Sequence, residues 1–165
     1  MVGQPPIVIA YDGSTAARDA VAQTQALFAS HPVIVLTVWE PGLAEFMLAP
    51  DPTGMGTTML PYDPTVMREA ERASEDHAKE IAADGQRLAH SLGLNAESLA
   101  VRDSPADTAA VIVATAEQHS AVAIVIGSRG LSGLRSKLLG STSSAVLRKS
   151  SCPVLIVRHP DDDGD

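Results

Sequence analysis

Short apolar runs alternate along this chain with longer stretches in which apolar residues return every three or four positions. The runs cover residues 6–11, 33–39, 98–102, 121–126 and 154–157. The first, second and fourth are almost continuously apolar and rich in Val and Ile, the pattern of strands buried on both faces. Between the first two, Ala17, Ala20, Val21, Thr24, Leu27 and Phe28 make one apolar helical face. Ser14 is placed to cap that helix, and His31-Pro32 stops it. A second helix is predicted over 64–92, with Asp63-Pro64 at its start and Gly93 at its end. Its exterior is charged, and its inner stripe reads Ala70, Ala73, Ala78, Ile81, Leu88 and Leu92. Ser104-Pro105-Ala106-Asp107 predicts a third start: a serine cap, proline at the first helical position and an acid in the first turn. A fourth helical pattern covers 141–150.

The order β-α-β-α-β-α-β-α-β predicts an α/β fold, a single three-layer domain over 1–160 with a five-stranded parallel sheet and helices on both faces. Residues 161–165 read as an acidic solvated tail. In such a sheet, ligands bind beyond the carboxyl ends of the strands, where the winding reverses. Loops 12–14, 38–40 and 127–143 should meet at that edge. The segment 40–66 is irregular: Pro41, Pro50, Pro52, Pro61 and Pro64 exclude a regular helix, yet Phe46, Met47, Leu48, Met55, Met59 and Leu60 are too apolar for an ordinary loop. It suits an apolar lid or partner surface, and equally a loop packed on its own core.

Charge sharpens the choice of edge. The net charge of −8 argues against general binding to nucleic acid or an anionic membrane. Yet residues 118–160 contain none of the twenty acids and half of the twelve basic residues: Arg129, Arg135, Lys137, Arg148, Lys149 and Arg158. Within that segment an apolar strand empties into Gly127-Ser128-Arg129-Gly130, and Gly140-Ser141-Thr142-Ser143 opens a helix. Free N–H groups and a positive dipole end then fall at one spot, which is an anion site in the making. A phosphate-bearing ligand is expected there. Walker A fails, because no glycine is followed by lysine, and the dinucleotide fingerprint G-x-G-x-x-G is absent. On spacing alone, the same glycines also suit a plain turn.

Other chemistry is sparse. His31, His77, His90, His119 and His159 lack metal-ligand spacing, and Gly13-Ser14 has no triad around it. Cys152 is the single cysteine, without a His or CxxC companion. It excludes an internal disulfide and fits a reducing compartment. With no membrane-length apolar window and no leader pattern, the chain reads as cytoplasmic.

The span from Ile124 through Gly127-Ser128-Arg129-Gly130 and Gly140-Ser141-Thr142 to Ser151-Cys152-Pro153-Val154 resembles the universal stress protein family. Its G-x2-G-x9-G-[ST] pattern marks members of that family that bind ATP, and Val8-Ile9-Ala10-Tyr11-Asp12-Gly13-Ser14 resembles the family's first strand and turn. The resemblance implies a Rossmann-like fold of the adenine nucleotide alpha hydrolase-like kind. It implies that Asp12 and the backbone around Val38 hold adenine, that Ala10 and Ile126 line its slot, and that Gly127 lies near the ribose. Arg129, Gly130, Gly140, Ser141, Thr142 and Ser143 would contact the phosphates, with Mg or Mn on the phosphate oxygens. It also implies a homodimer joined through Val154, Leu155, Ile156 and Val157. The expected function is that of an ATP-binding regulatory protein of the stress response, with no nucleic-acid or membrane partner. Its rivals are an AMP or cyclic AMP binder, a nucleotide-free dimeric scaffold and a slow ATP hydrolase, since no residue is placed as a general base. Two departures from the family stand out: Val122, where many members carry an acid, and the long Met- and Pro-rich segment 40–66.

Overall fold

The computed structural model describes residues 4–41, 64–103, 107–130 and 139–159. Among these residues the elements run β1 (Ile7–Ala10), α1 (Thr15–Phe28), β2 (Val33–Trp39), α2 (Pro64–Ser91), β3 (Ala96–Arg102), α3 (Thr108–Gln118), β4 (Ala123–Gly127), α4 (Ser141–Lys149) and β5 (Val154–Val157). The strands form one sheet in the order β3-β2-β1-β4-β5, and every neighbouring pair is parallel. The chain winds outward from β1 to β3, then returns to the other side of β1 for β4 and β5. The reversal therefore falls between β1 and β4.

Strand alternation sorts the core into two layers. Ile7, Ile9 and Tyr11 join Ala17, Ala20 and Val21 of α1 and Ala89 of α2 on one face. Val8 joins Ile112, Val113 and Ala116 of α3 and Val146 of α4 on the other. Because both faces are covered, β1 and β4 are buried almost throughout, whereas the edge strands β3 and β5 are mostly half-exposed or exposed.

The helices depart from the sequence pattern in instructive places. Ser14 caps α1 as expected, its Oγ accepting from the Ala17 N–H at 3.2 Å. Leu27, however, is 59% exposed, and Ala16 is buried in the helical face instead. In α2, Ala73 is exposed, as is Leu92 just beyond its end, and the buried stripe is Ala78, Ala82, Gly85 and Ala89. At Gly85 no side chain fits, because Tyr11 and Val35 already fill the space below. A Cβ on Gly85 would stand 2.7 Å from Val35 Cγ1 and 2.9 Å from Tyr11 Cδ1.

The start of α3 also differs. Asp107 is the N-cap, not a first-turn acid, and its Oδ1 accepts from the Ala110 N–H at 3.0 Å. Asp103 fixes this start: its carboxylate accepts from the Asp107 N–H and the Thr108 hydroxyl, each at 2.8 Å. Ser104, Pro105 and Ala106, together with most of the 40–66 segment and the 161–165 tail, lie outside the described residues.

Candidate functional site

The winding reversal opens a crevice beyond the carboxyl ends of β1, β2 and β4. It holds a cavity of about 190 Å³. Ala10, Asp12, Val38, Ile126, Gly127, Arg129, Gly130, Gly140, Ser141, Thr142 and Ser143, the eleven site candidates named from sequence, all line it. Tyr11, Ala17, Leu36, Thr108 and Ile112 line it as well and were not among those candidates. The walls divide by chemistry. Ala10, Leu36, Val38, Ile112 and Ile126 belong to the apolar layer under α3 and α4. Asp12, the glycine segment and the first turn of α4 make the polar remainder.

The glycines earn their places by close approach. Gly127 is the last residue of β4, and a Cβ there would lie 2.8 Å from the Ala16 Cβ. A Cβ on Gly130 would meet Asp12 Oδ2 at 2.7 Å, and one on Gly140 the Ser128 carbonyl at 3.2 Å. Left-handed backbone occurs among the described glycines at Gly13 and Gly93 and not at Gly130 or Gly140. Gly140 N–H donates to the Ser128 carbonyl at 2.8 Å, and Ser143 Oγ donates to the Gly127 carbonyl at 2.8 Å. These two bonds hold the start of α4 against the end of β4. The Ser143 hydroxyl proton is thus engaged in the fold itself.

No side chain caps α4 at Gly140. The first N–H groups of a helix have no partner within the helix, so Ser141, Thr142 and Ser143 bring unclaimed backbone donors and the positive dipole end to the cavity. Arg129 lines the same wall. The remaining basic residues of the segment are distributed differently. Arg148 and Lys149 occupy the last turn of α4, where cations suit the negative end of the dipole. Lys149 pairs with the carboxylate of Asp107, and that contact holds the Asp107 pKa below its ordinary value. Arg135 and Lys137 lie outside the described residues.

Asp12 is positioned by an Asx turn in which its Oδ1 accepts from the Ser14 N–H at 3.0 Å. The neighbouring Tyr11 anchors this loop from the opposite side of the sheet. Its hydroxyl donates to Asp84 Oδ2 at 2.9 Å, and Arg18 donates to the same oxygen at 2.7 Å. Burial, and then the hydrogen bond to Asp84, push the Tyr11 pKa up to about 12. The same bond holds Asp84 below the usual carboxylate range. Thr37 Oγ1 donates to the Tyr11 carbonyl at 2.9 Å, tying the end of β2 to the same residue.

Thr108 and Ile112 escaped the sequence reading because they belong to a helix, and candidates were sought on strand-end loops. The available signal was their i, i+4 spacing at the start of a helix that must cover the same strand ends. Among the described residues, no group of three or more His, Cys, Asp or Glu is arranged to hold a metal ion. No helix among them is long and apolar enough to cross a membrane.

Comparison with known proteins gives a consistent result. The family model for the universal stress protein family matches residues 5–158. A universal stress protein of Thermus aquaticus is 31% identical over 152 residues, covering 92% of this chain and 97% of that protein. Universal stress protein Rv2623 of Mycobacterium tuberculosis is 27% identical over 157 residues, covering 94% of this chain and 48% of the relative, so the chain spans about half its length. Among solved structures, universal stress protein UspA of Lactobacillus plantarum superimposes with a TM-score of 0.68 at 21% identity, covering 96% of this chain and 100% of that one. A universal stress protein in complex with cAMP gives 0.60 at 23% identity, covering 94% and 98%. One from Archaeoglobus fulgidus in complex with dAMP gives 0.57 at 21% identity, covering 95% and 99%. These likenesses show the fold; the matched length and the closer identity show the lineage. This chain belongs to the universal stress protein family.

Proposed function

We propose that the cavity binds an adenine nucleotide and that the protein acts as a nucleotide-responsive regulatory module. The observation that carries the reading is the junction of two surfaces. An apolar crevice beside α3 meets, across Gly127 and Gly130, a helix start that no side chain caps. A base fits the first surface and an anion the second. The cavity, at about 190 Å³, falls short of the about 300–1,000 Å³ typical of ligand pockets. A triphosphate would therefore extend along Arg129, Gly130 and the first turn of α4 at its mouth. ATP is the preferred ligand, with Mg²⁺ or Mn²⁺ bound by the phosphate oxygens and water. The Gly130-to-Gly140 spacing supports ATP, whereas the relatives in complex with cAMP and dAMP favour a monophosphate as the second reading.

Among the described cavity residues none is identified as a general base for attack on a phosphate, and hydrolysis is proposed to be at most slow. The exposed edge of β5 is proposed as the seam of a homodimer, because an edge strand leaves unpaired N–H and C=O groups. A cytoplasmic setting accords with the single, unpaired Cys152. Equilibrium dialysis with ATP, AMP and cyclic AMP, each with and without magnesium, tests the nucleotide assignment. Wild type should retain ATP, and Gly140→Val should not, since its side chain would press on the Ser128 carbonyl and displace the helix start. Equal retention by both proteins would remove the phosphate half of the site.

A further inference from the structure

Thr108 stands at the first position of α3, one turn before Ile112; both line the cavity, and Ile112 belongs to its apolar layer. Its hydroxyl is held by Asp103, a carboxylate only 3% exposed at the end of β3. One oxygen of that carboxylate accepts from the Asp107 N–H, and the other lies 2.8 Å from Thr108 Oγ1. The Asp103 N–H donates to the Trp39 carbonyl at 2.7 Å, so the carboxylate is tied to the end of β2 beside Val38.

This arrangement fixes the polarity of the threonine. An ionised carboxylate only accepts hydrogen bonds, and a hydroxyl has one proton to give. With that proton directed to Asp103, the threonine oxygen has only acceptor capacity left for a ligand. We propose that Thr108, oriented by Asp103, reads the base in this cavity, selecting a purine with an amino group at the 6 position over one with a carbonyl there. An exocyclic amino group donates a proton to the oxygen, whereas a carbonyl would place two acceptors against each other. The inference rests on the nucleotide reading above and adds to it a specificity residue on α3 and the buried acid that sets its sense. Asp103 is the positioning residue, acting through Thr108.

The test compares Kd values for ATP and for ITP, which carry an amino and a carbonyl group at the 6 position and an N1 that accepts in the first and donates in the second. The change in their ratio between wild type and the Thr108 variants isolates the part read by Thr108. Wild type should favour ATP. Thr108→Val keeps the shape of the side chain but removes the oxygen, and should reduce the ATP preference roughly two- to tenfold, the size of one net hydrogen bond. Thr108→Ser should preserve it. Asp103→Asn is the most discriminating variant. Its amide oxygen would stay on the Asp107 N–H, and its NH₂ group would face Thr108, which must then accept and can turn its own proton toward the ligand. The preference should shift toward ITP. Thermal melts show which variants fold, and the wild-type ratio needs no variant. Equal binding of ATP and ITP by wild type, or an unchanged ratio in folded Thr108→Val, overturns the role of Thr108. Failure of wild type to bind either nucleotide overturns the nucleotide reading as well.

Discussion

Gly127 lies beneath Ala16 with no room for a side chain: a Cβ there would be 2.8 Å from the Ala16 Cβ and 2.9 Å from its carbonyl carbon. The first turn of α1 cannot yield easily, because Ser14 caps it and Ala17 and Ala20 are buried. Gly127→Ala should therefore cost about 1–3 kcal/mol of stability through overpacking, seen as a Tm lower by several degrees. Gly130→Ala makes a different demand, since its Cβ would meet a carboxylate oxygen of Asp12 and not backbone. It should leave Tm almost unchanged and weaken nucleotide binding by moving Asp12. Thermal melts and calorimetric titration with ATP, run on both variants, separate a packing glycine from a site glycine.

Arg129 is expected to act on phosphate and not on the base. Arg129→Gln should lower ATP affinity by about 1.5–3 kcal/mol, the range for hydrogen bonds to charged groups, and leave adenosine binding nearly unchanged. The salt dependence of ATP binding should flatten in the same variant. Equal losses for ATP and adenosine would place Arg129 elsewhere in the ligand's surroundings.

Tyr11 and Asp84 give stability a pH dependence at both ends of the scale. The folded state raises the Tyr11 pKa from 10.0 to about 12, so it favours the protonated phenol. That contribution is complete below pH 10 and is lost as pH rises toward 12. Asp84 is held below its ordinary 3.8, so its contribution is complete above that pH and is lost as pH falls through the lower folded value. Tyr11→Phe should cost about 1 kcal/mol at neutral pH and flatten both limbs. Denaturant midpoints measured from acid to alkaline pH check it.

The edge of β5 can be probed through its backbone. Ile124 N–H donates to the Pro153 carbonyl and Ser128 N–H to the Val157 carbonyl, so the alternation of a parallel ladder turns the N–H groups of Val154 and Ile156 outward. Ile156→Pro removes one outward donor without taking a bond from the pairing with β4. If protomers pair there, the variant should sediment as a monomer with native circular dichroism while wild type sediments as a dimer.

The parallel five-stranded sheet and the crevice were legible in the sequence because both follow from coarse patterns: doubly buried apolar runs, and a strand that ends in glycine before a helix. What escaped was set by contacts distant in sequence. The buried stripe of α2 could not be drawn from periodicity alone, since Gly85 is selected by the bulk of Tyr11 and Val35. The start of α3 looked like a Ser104 cap because serine followed by proline is a strong local signal. The buried carboxylate of Asp103 moved that start to Thr108, and its burial depends on how β3 meets β2. Charge misled in part, for Arg148 and Lys149 serve the end of α4 and not the cavity.

The bonds from Gly140 to Ser128 and from Ser143 to Gly127 join the start of α4 directly to the end of β4. The two sides of the proposed anion site are thus fastened to each other by a main-chain bond and a hydroxyl bond. An anion drawn to the first turn of α4 would therefore be held, through those two bonds, by the central sheet as well as by the helix.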